Sequence, residues 1–172
     1  IELPEACHEA DIVFLTGGLG GGTGTGSLPV IGQLAKERGA LTIAIVTLPF
    51  TNEGAKRTNN ARIGLEKLRK SADTVIVIPN DKLLQDDISG LPLNQAFRKA
   101  DEILANAIRC MTEITSHGGL VNIDFADMRS IMEGGGVAMI GMGEGQGQHR
   151  ASDAVTAALT SPLLELDISE SK

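Results

Sequence analysis

The residues best suited to chemistry are a run of glycines and threonines, G-G-G-T-G-T-G, at positions 20–26. The run follows an apolar stretch at 12–16, typical of a buried strand, and precedes an amphipathic stretch with Pro29 near its start. Glycine permits positive φ and lets another group approach the main chain. A strand, a Gly/Thr loop and a helix N-terminus together bind phosphate through backbone N–H groups. The sequence therefore predicts a phosphate-binding loop made of Gly20, Gly21, Gly22, Thr23, Gly24, Thr25 and Gly26.

Two better-known phosphate-binding motifs are absent from this run. No lysine follows the glycines, as G-x-x-x-x-G-K-[ST] requires, and no register of residues 17–26 gives G-x-G-x-x-G. The alternative is a flexible linker or a tight turn. We disfavour it because linkers are not flanked by a buried strand and an amphipathic helix.

A second set of candidates follows the apolar run 41–47, in the segment P-F-T-N-E-G-A-K-R at 49–57. Glu53 and Arg57 are four residues apart, so they share a face if a helix starts at Gly54. A carboxylate can accept hydrogen bonds from a diol, and a guanidinium can donate to phosphate oxygens. The alternative is a solvated ion pair that stabilises the helix by about 0.2–0.5 kcal/mol.

A third apolar run, 74–78, leads into P-N-D at 79–81, where Asn80 or Asp81 could also cap a helix. Ligands of α/β proteins bind at the carboxyl ends of parallel strands. We therefore expect segments 17–26, 48–54 and 79–81 to converge on one ligand.

Further candidates lie in the second half of the chain. Phe97 and Asp101 share one face of a predicted long helix, where Phe97 could also be a core residue. Asn122, Asp124 and Asp127 form an N-x-D-x-x-D string at a predicted helix start, where acids commonly cap a helix and oppose its dipole.

These residues need elements that position them, and the pattern predicts alternating strands and helices. Continuous rather than alternating apolar strands are typical of a parallel sheet covered on both faces, so we predict an α/β, doubly wound parallel sheet. The long helix, at 93–115, would measure about 34 Å and act as a spine between two subdomains. The predicted strands are 12–16, 41–47, 74–78 and 137–142, and the predicted helices are 28–38, 56–70, 93–115, 124–132 and 150–160, with a loop at 143–148. We divide the chain into a ligand-binding part at 1–92, the spine at 93–116, and the start of an α+β subdomain at 117–172.

Composition narrows the class of protein. The chain has 172 residues, 42% hydrophobic content and a net charge of −7, which suit a globular domain and argue against a nucleic-acid or anionic-membrane surface. No apolar run approaches the roughly 20 residues of a membrane span, and no signal peptide is visible. Cys7 and Cys110 lack metal-ligand spacing and are interpreted as reduced cytosolic thiols. The three histidines are scattered, so we expect no metal site built by the chain itself.

The motifs together resemble the tubulin/FtsZ family of GTPases, in its bacterial and archaeal FtsZ form. G-G-G-T-G-T-G, P-F-x-x-E-G-x-x-R, I-P-N-D-K, F-x-x-A-D and N-x-D-x-x-D occur in the family's order, and the likeness runs from Ala10 to Leu164. The glycine-rich first strand and loop of that family are not in this sequence, nor is most of its C-terminal sheet. We therefore expect a piece of a longer protein, and weak or no GTP binding by the chain alone.

The resemblance implies a role for each candidate residue. The glycine run would hold phosphate, Glu53 would accept hydrogen bonds from the ribose hydroxyls, and Arg57 would lie by the nucleotide. Phe97 would pack on guanine, and Asp101 would accept from its N1–H and exocyclic amine. Asn122, Asp124 and Asp127 would form a catalytic loop that enters the nucleotide site of the next subunit.

The resemblance also implies a function: a cytoplasmic GTPase that polymerises head-to-tail at the mid-cell division ring. GTP or GDP would be bound with Mg²⁺ on the phosphates. The partners would be further copies of the protein and division-ring adaptor proteins, with neither nucleic acid nor direct membrane insertion. Two alternatives stay open, a non-catalytic relative that regulates filament assembly and an unrelated α/β nucleotide-binding enzyme.

Overall fold

The structure, a computed structural model, describes residues 9–84, 93–116 and 124–164. The described strands are β1 (Ile12–Gly18), β2 (Leu41–Leu48), β3 (Thr74–Pro79) and β4 (Gly136–Ala138). The described helices are α1 (Thr23–Glu37), α2 (Ala55–Ser71), α3 (Leu93–Ser116), α4 (Phe125–Met132) and α5 (Arg150–Leu159), with short 3-10 turns at Thr51–Glu53, Asn80–Leu84 and Pro162–Leu164.

The strands form one parallel sheet in the order β1-β2-β3-β4. Its register pairs Phe14 with Ile43, Ile43 with Thr74, and Thr74 with Gly136. Because all neighbours are parallel, the carboxyl ends of the strands lie at one edge of the sheet, the carboxyl edge, and their amino ends lie at the opposite, amino edge.

Helices cover both faces of the sheet. On one face, α1 and α2 pack Leu28, Ala61 and Leu68 against Ala44 and Val46 of β2. On the other face, α3 and α4 supply the buried side chains that pack against the opposite side of β2 and β3, namely Ala96, Ala100, Ala107, Met111 and Met128. The predicted α/β class with a parallel sheet is confirmed, and the continuous apolar strands are explained by burial on both sides. The division of the chain at residues 92 and 116 stays a prediction.

The start of α1 differs from the sequence prediction. The helix begins at Thr23 rather than near residue 28, so Pro29 lies inside it and the glycine run is divided between a loop and the first helical turn. Close packing explains the early start. A Cβ at Gly24 would overlap the carbonyl oxygen of Gly18, and one at Gly64 of α2 would approach Thr25 within 2.6 Å.

The strand predicted at 137–142 is also shorter, because only Gly136–Ala138 pairs with β3. The chain then leaves the sheet and lies against α5. A Cβ at Gly141, Gly143 or Gly145 would overlap the backbone of α5, so these alternate glycines allow direct backbone contact. The other predicted elements agree with the structure within about two residues.

No helix in the three described ranges is both long enough and apolar enough to span a membrane.

Candidate functional site

The loop after β1 is held between its own helix and α2. Gly20 has φ of +104°, and a Cβ there would lie 3.0 Å from the Arg57 carbonyl oxygen. Its N–H donates to Oγ1 of Thr25 at 2.9 Å, and its carbonyl accepts from Nδ2 of Asn60 at 3.5 Å. Leu19 N–H donates to the Thr47 carbonyl at 2.9 Å. These contacts fix the loop without using the next two glycines.

The N-terminus of α1 has the properties of an anion site. Gly22 is the N-cap and supplies no side-chain cap, and the first turn carries no acidic residue. Gly21, Gly22 and Gly26 are exposed, and no atom lies within 4 Å of where a Cβ would stand on any of them. The first N–H groups of a helix have no intrahelical partner, and the helix dipole favours an anion there.

Glu53 and Arg57 form the ion pair that their spacing allows. The Glu53 side chain is only 11% exposed, and its Oε1 accepts a hydrogen bond from Phe50 N–H at 2.9 Å, whereas Arg57 is 57% exposed. Glu53 is therefore a largely buried, hydrogen-bonded carboxylate with unused acceptor positions, beside a mostly exposed cation.

The loops after β2 and β3 are joined by Asp81. Its carboxylate accepts from Thr51 N–H at 3.0 and 3.2 Å and from Thr51 Oγ1 at 2.5 Å. The sequence suggested a helix cap at Asn80 or Asp81 and a place for segment 79–81 beside the ligand. The structure shows a bond between two loops, and it brings all three strand-following segments together at the carboxyl edge.

Phe97 of α3 meets this edge through Phe50. Their ring centroids are 5.3 Å apart with an interplanar angle of 75°, an edge-to-face pair. Phe50 is fully buried, whereas Phe97 is 36% exposed and Asp101 is exposed, so part of the Phe97 ring is available for stacking. Phe50 was not a candidate from the sequence, although it lies within the quoted P-F-x-x-E motif.

The acidic residues of the fourth candidate group lie elsewhere. Asp124 is the N-cap of α4 and Asp127 is in its first turn; both are exposed. Within the described residues, the Asp124 side chain makes no cap hydrogen bond, so the simple capping role is not realised. Asn122 lies outside the described residues.

The contacts of α4 place it at the amino edge. Arg129 Nη2 donates to the carbonyl of Gly39, just before β2, at 2.8 Å, and Thr74 Oγ1, at the start of β3, donates to the Met132 carbonyl at 2.5 Å. The eight residues of β2 separate the two edges by about 26 Å at about 3.3 Å per residue. The structure therefore does not bring Asp124 and Asp127 to the glycine loop, Glu53 or Phe97 of the same chain.

A buried carboxylate also stabilises the amino edge. Asp73 accepts from Thr42 N–H at 3.0 Å and pairs with Lys36 Nζ at 2.7 Å. Its role is structural, because every partner belongs to the sheet or to α1. The three described ranges contain no cluster of three or more His, Cys, Asp or Glu side chains able to hold a metal ion.

Comparison with known proteins gives two family matches. Residues 2–87, half of the chain, match the GTPase domain of the Tubulin/FtsZ family. Residues 136–172 match the C-terminal domain of the FtsZ family.

Two curated relatives and two solved structures illustrate the similarity. The chain is 56% identical to cell division protein FtsZ 1 of Thermococcus kodakarensis, over 99% of this chain and 46% of that protein. It is 62% identical to cell division protein FtsZ of Methanothermobacter thermautotrophicus, over 95% of this chain and 42% of that protein. It superimposes on an FtsZ dimer structure from M. jannaschii with a TM-score of 0.90 and 52% identity, over 95% of this chain and 47% of that one. CetZ from Methanosaeta thermophila gives a TM-score of 0.71 at 25% identity, over 89% of this chain and 42% of that one. The chain therefore spans less than half the length of these relatives.

Proposed function

The chain belongs to the tubulin/FtsZ family, and from this premise we propose that it is part of a GTP-hydrolysing protein that assembles head-to-tail into filaments for cell division. The proposal rests on the separation of two groups of candidate residues, called half-sites: the nucleotide-binding candidates and the acids of α4. Nucleotide-binding candidates lie at the carboxyl edge, and the exposed acids lie on α4, which contacts the amino edge; β2 separates the two edges by about 26 Å. Stacking one copy on another in the same orientation would bring the two edges together.

At the carboxyl edge, each group has a distinct task. The open N-terminus of α1 with Gly20–Gly26 would hold phosphate oxygens, and Glu53 would accept from the ribose hydroxyls. The exposed part of the Phe97 ring would stack on guanine. Asp101, one helical turn away, would accept from the two adjacent N–H donors of guanine, a pair that adenine lacks.

At the amino edge, the incoming subunit would supply the acids. Asp124 and Asp127, together with Asn122, would accept hydrogen bonds from a water molecule and orient it in line with the γ-phosphoryl group of the neighbour's GTP. Negative charge so placed would also raise the nucleophilicity of that water. Hydrolysis then weakens the contact and destabilises the filament.

The residues also fit Mg²⁺ carried by the nucleotide. Magnesium commonly binds phosphate oxygens, several waters and at most one or two carboxylates, so it requires no cage of protein ligands. When bound, it would neutralise phosphate charge. We also propose that the protein binds division-ring adaptor proteins and acts in the cytoplasm at mid-cell.

The test uses a full-length chimera, in which this chain replaces the matching residues of the Methanothermobacter thermautotrophicus relative. GTP turnover per subunit is measured against protein concentration. We expect turnover near zero at low concentration and a rise above a threshold, because the catalytic site forms between subunits. Turnover that is independent of concentration would overturn the proposal. GTP binding without turnover at any concentration would favour the regulatory alternative.

A further inference from the structure

We propose that Arg129 is a positioning residue, which sets where Asp124 and Asp127 stand relative to the nucleotide of the next subunit. The inference rests on the proposed function and adds a residue to it. Arg129 lies on α4, behind the acids, and it contacts neither of them among its hydrogen bonds and ion pairs in the described residues.

The position of α4 has to come from outside the helix. It has eight residues, too few for a stable isolated helix, and Asp124 gives no side-chain cap within the described residues. Its C-terminal end is held by Thr74, whose hydroxyl donates to the Met132 carbonyl, and its middle by the buried Met128. At the acid-bearing end, Phe125 packs against the core, but within the described residues no hydrogen bond links residues 124–127 to the chain outside α4.

Arg129 makes contacts on two sides. Its guanidinium lies 5.3 Å from the ring centroid of Phe125, the residue directly after Asp124. Its Nη2 donates to the Gly39 carbonyl at 2.8 Å. The side chain thus connects the first residue of α4 with the turn that leads into β2.

The acceptor is itself fixed. Gly39 has φ of +82° and donates its N–H to the Lys36 carbonyl at 2.9 Å, while Ala40 N–H donates to the Ala35 carbonyl at 3.3 Å. The turn is therefore hydrogen-bonded to α1 and leads directly into β2. Through its contacts with Gly39 and Phe125, Arg129 connects this turn to the acid-bearing end of α4.

Geometry matters more than charge in this contact. A planar guanidinium can stack on a ring and donate in its own plane at the same time, which an ammonium group cannot. The Nε of Arg129 is buried without a hydrogen-bond partner in the described ranges, so the stacking and the Gly39 bond define the position of the group. Lysine should therefore not replace arginine here.

The test compares Arg129→Ala and Arg129→Lys with Arg69→Ala in the full-length chimera. Arg69 is the control, since it is a half-exposed arginine of α2 paired with Glu66. We expect turnover in filaments to fall about tenfold to a hundredfold in both Arg129 variants, because small misplacements of catalytic groups have effects of that size. GTP affinity of the unassembled subunit and the far-UV circular dichroism should not change, and Arg69→Ala should match the parent.

A mixing experiment separates positioning from general damage. Arg129→Ala is mixed with Asp101→Ala. The second variant keeps Asp124 and Asp127 but lacks the proposed guanine contact. Mixed filaments contain interfaces where normal acids face a normal nucleotide site, so turnover should exceed the sum of the two separate samples. No gain on mixing, an equal loss of GTP affinity in Arg129→Ala, or full turnover in Arg129→Lys would each overturn the inference. Concentration-independent turnover by the unmutated chimera would instead overturn the proposed function, and this inference with it.

Discussion

The two edges of the sheet are built differently. At the carboxyl edge, candidate side chains are bonded to the loops beside them: Glu53 to Phe50, Asp81 to Thr51, and Thr25 to Gly20. At the amino edge, Asp124 and Asp127 are exposed, and their helix is anchored through its other side chains. The first edge is organised before any ligand arrives, whereas the second presents free carboxylates.

Because the two edges are built differently, substitutions at each edge should affect different properties of the protein. Preorganised loops bind with less loss of conformational entropy, so changes at the carboxyl edge should affect nucleotide affinity and stability. Unbonded carboxylates contribute little to the fold, so changes there should affect turnover alone. Four substitutions test the contrast, all in the full-length chimera.

The largest effect is expected for Asp124→Ala. Removing a group that orients the attacking water should lower turnover about 10²- to 10⁴-fold, while assembly and GTP affinity persist. Steady-state phosphate release, light scattering and nucleotide titration measure the three properties. A loss of GTP affinity as large as the loss of turnover would contradict the separation of the edges.

Gly24→Ala should have the next largest effect. The added Cβ would overlap the Gly18 carbonyl, which cannot move without disturbing β1, so we expect a loss of about 2–3 kcal/mol in the free energy of unfolding. Gly26→Ala is the matched control, because nothing lies within 4 Å of its Cβ position and alanine favours helix by up to about 1 kcal/mol. Urea denaturation measures both. Equal effects would show that the packing argument is wrong.

Asp81→Ala should weaken the carboxyl edge moderately. It removes the acceptor for Thr51 N–H and Oγ1 at a partly exposed site, so we expect a loss of about 1 kcal/mol of stability and several-fold weaker GTP binding. Thr51→Ala, combined with it in a double-mutant cycle, measures the coupling between the two loops. A coupling energy near zero would mean that the loops are held independently.

Glu53→Gln should have the smallest effect on stability. The amide oxygen can still accept from Phe50 N–H, so only the ion pair with the mostly exposed Arg57 is lost, a change of about 0.5 kcal/mol or less. The urea midpoint measures it. A loss above about 1.5 kcal/mol would indicate that the pair is a structural element of this edge.

The sequence predicted the parts of this arrangement that depend on local pattern. Continuous apolar runs indicated β2 and β3, since both faces of these strands are covered. The spacing of Glu53 and Arg57 allowed an ion pair as the alternative to a nucleotide-binding role, and the structure contains that pair. Their roles toward a nucleotide, like those of the glycine run, Phe97, Asp101, Asn122, Asp124 and Asp127, stay predictions.

The parts that the sequence did not predict depend on tertiary contact. Glycines and threonines have low helix propensity, so α1 was expected to start later than Thr23; contacts of Gly24 and Thr25 with β1 and α2 override that preference. The Asp81–Thr51 bond joins residues 30 apart, and the Arg129–Gly39 bond joins residues 90 apart. No local pattern indicates either pair.

Because the two half-sites lie at opposite edges, a filament would contain fewer complete catalytic sites than nucleotides. In a single filament of n subunits joined as proposed, there are n nucleotides but only n − 1 junctions at which acids face a nucleotide. The terminal subunit whose carboxyl edge is free retains its GTP, and the opposite terminus carries acids with no substrate. The two ends of such a filament would therefore differ in chemical state as well as in shape, and short filaments would hold the larger share of unhydrolysed nucleotide.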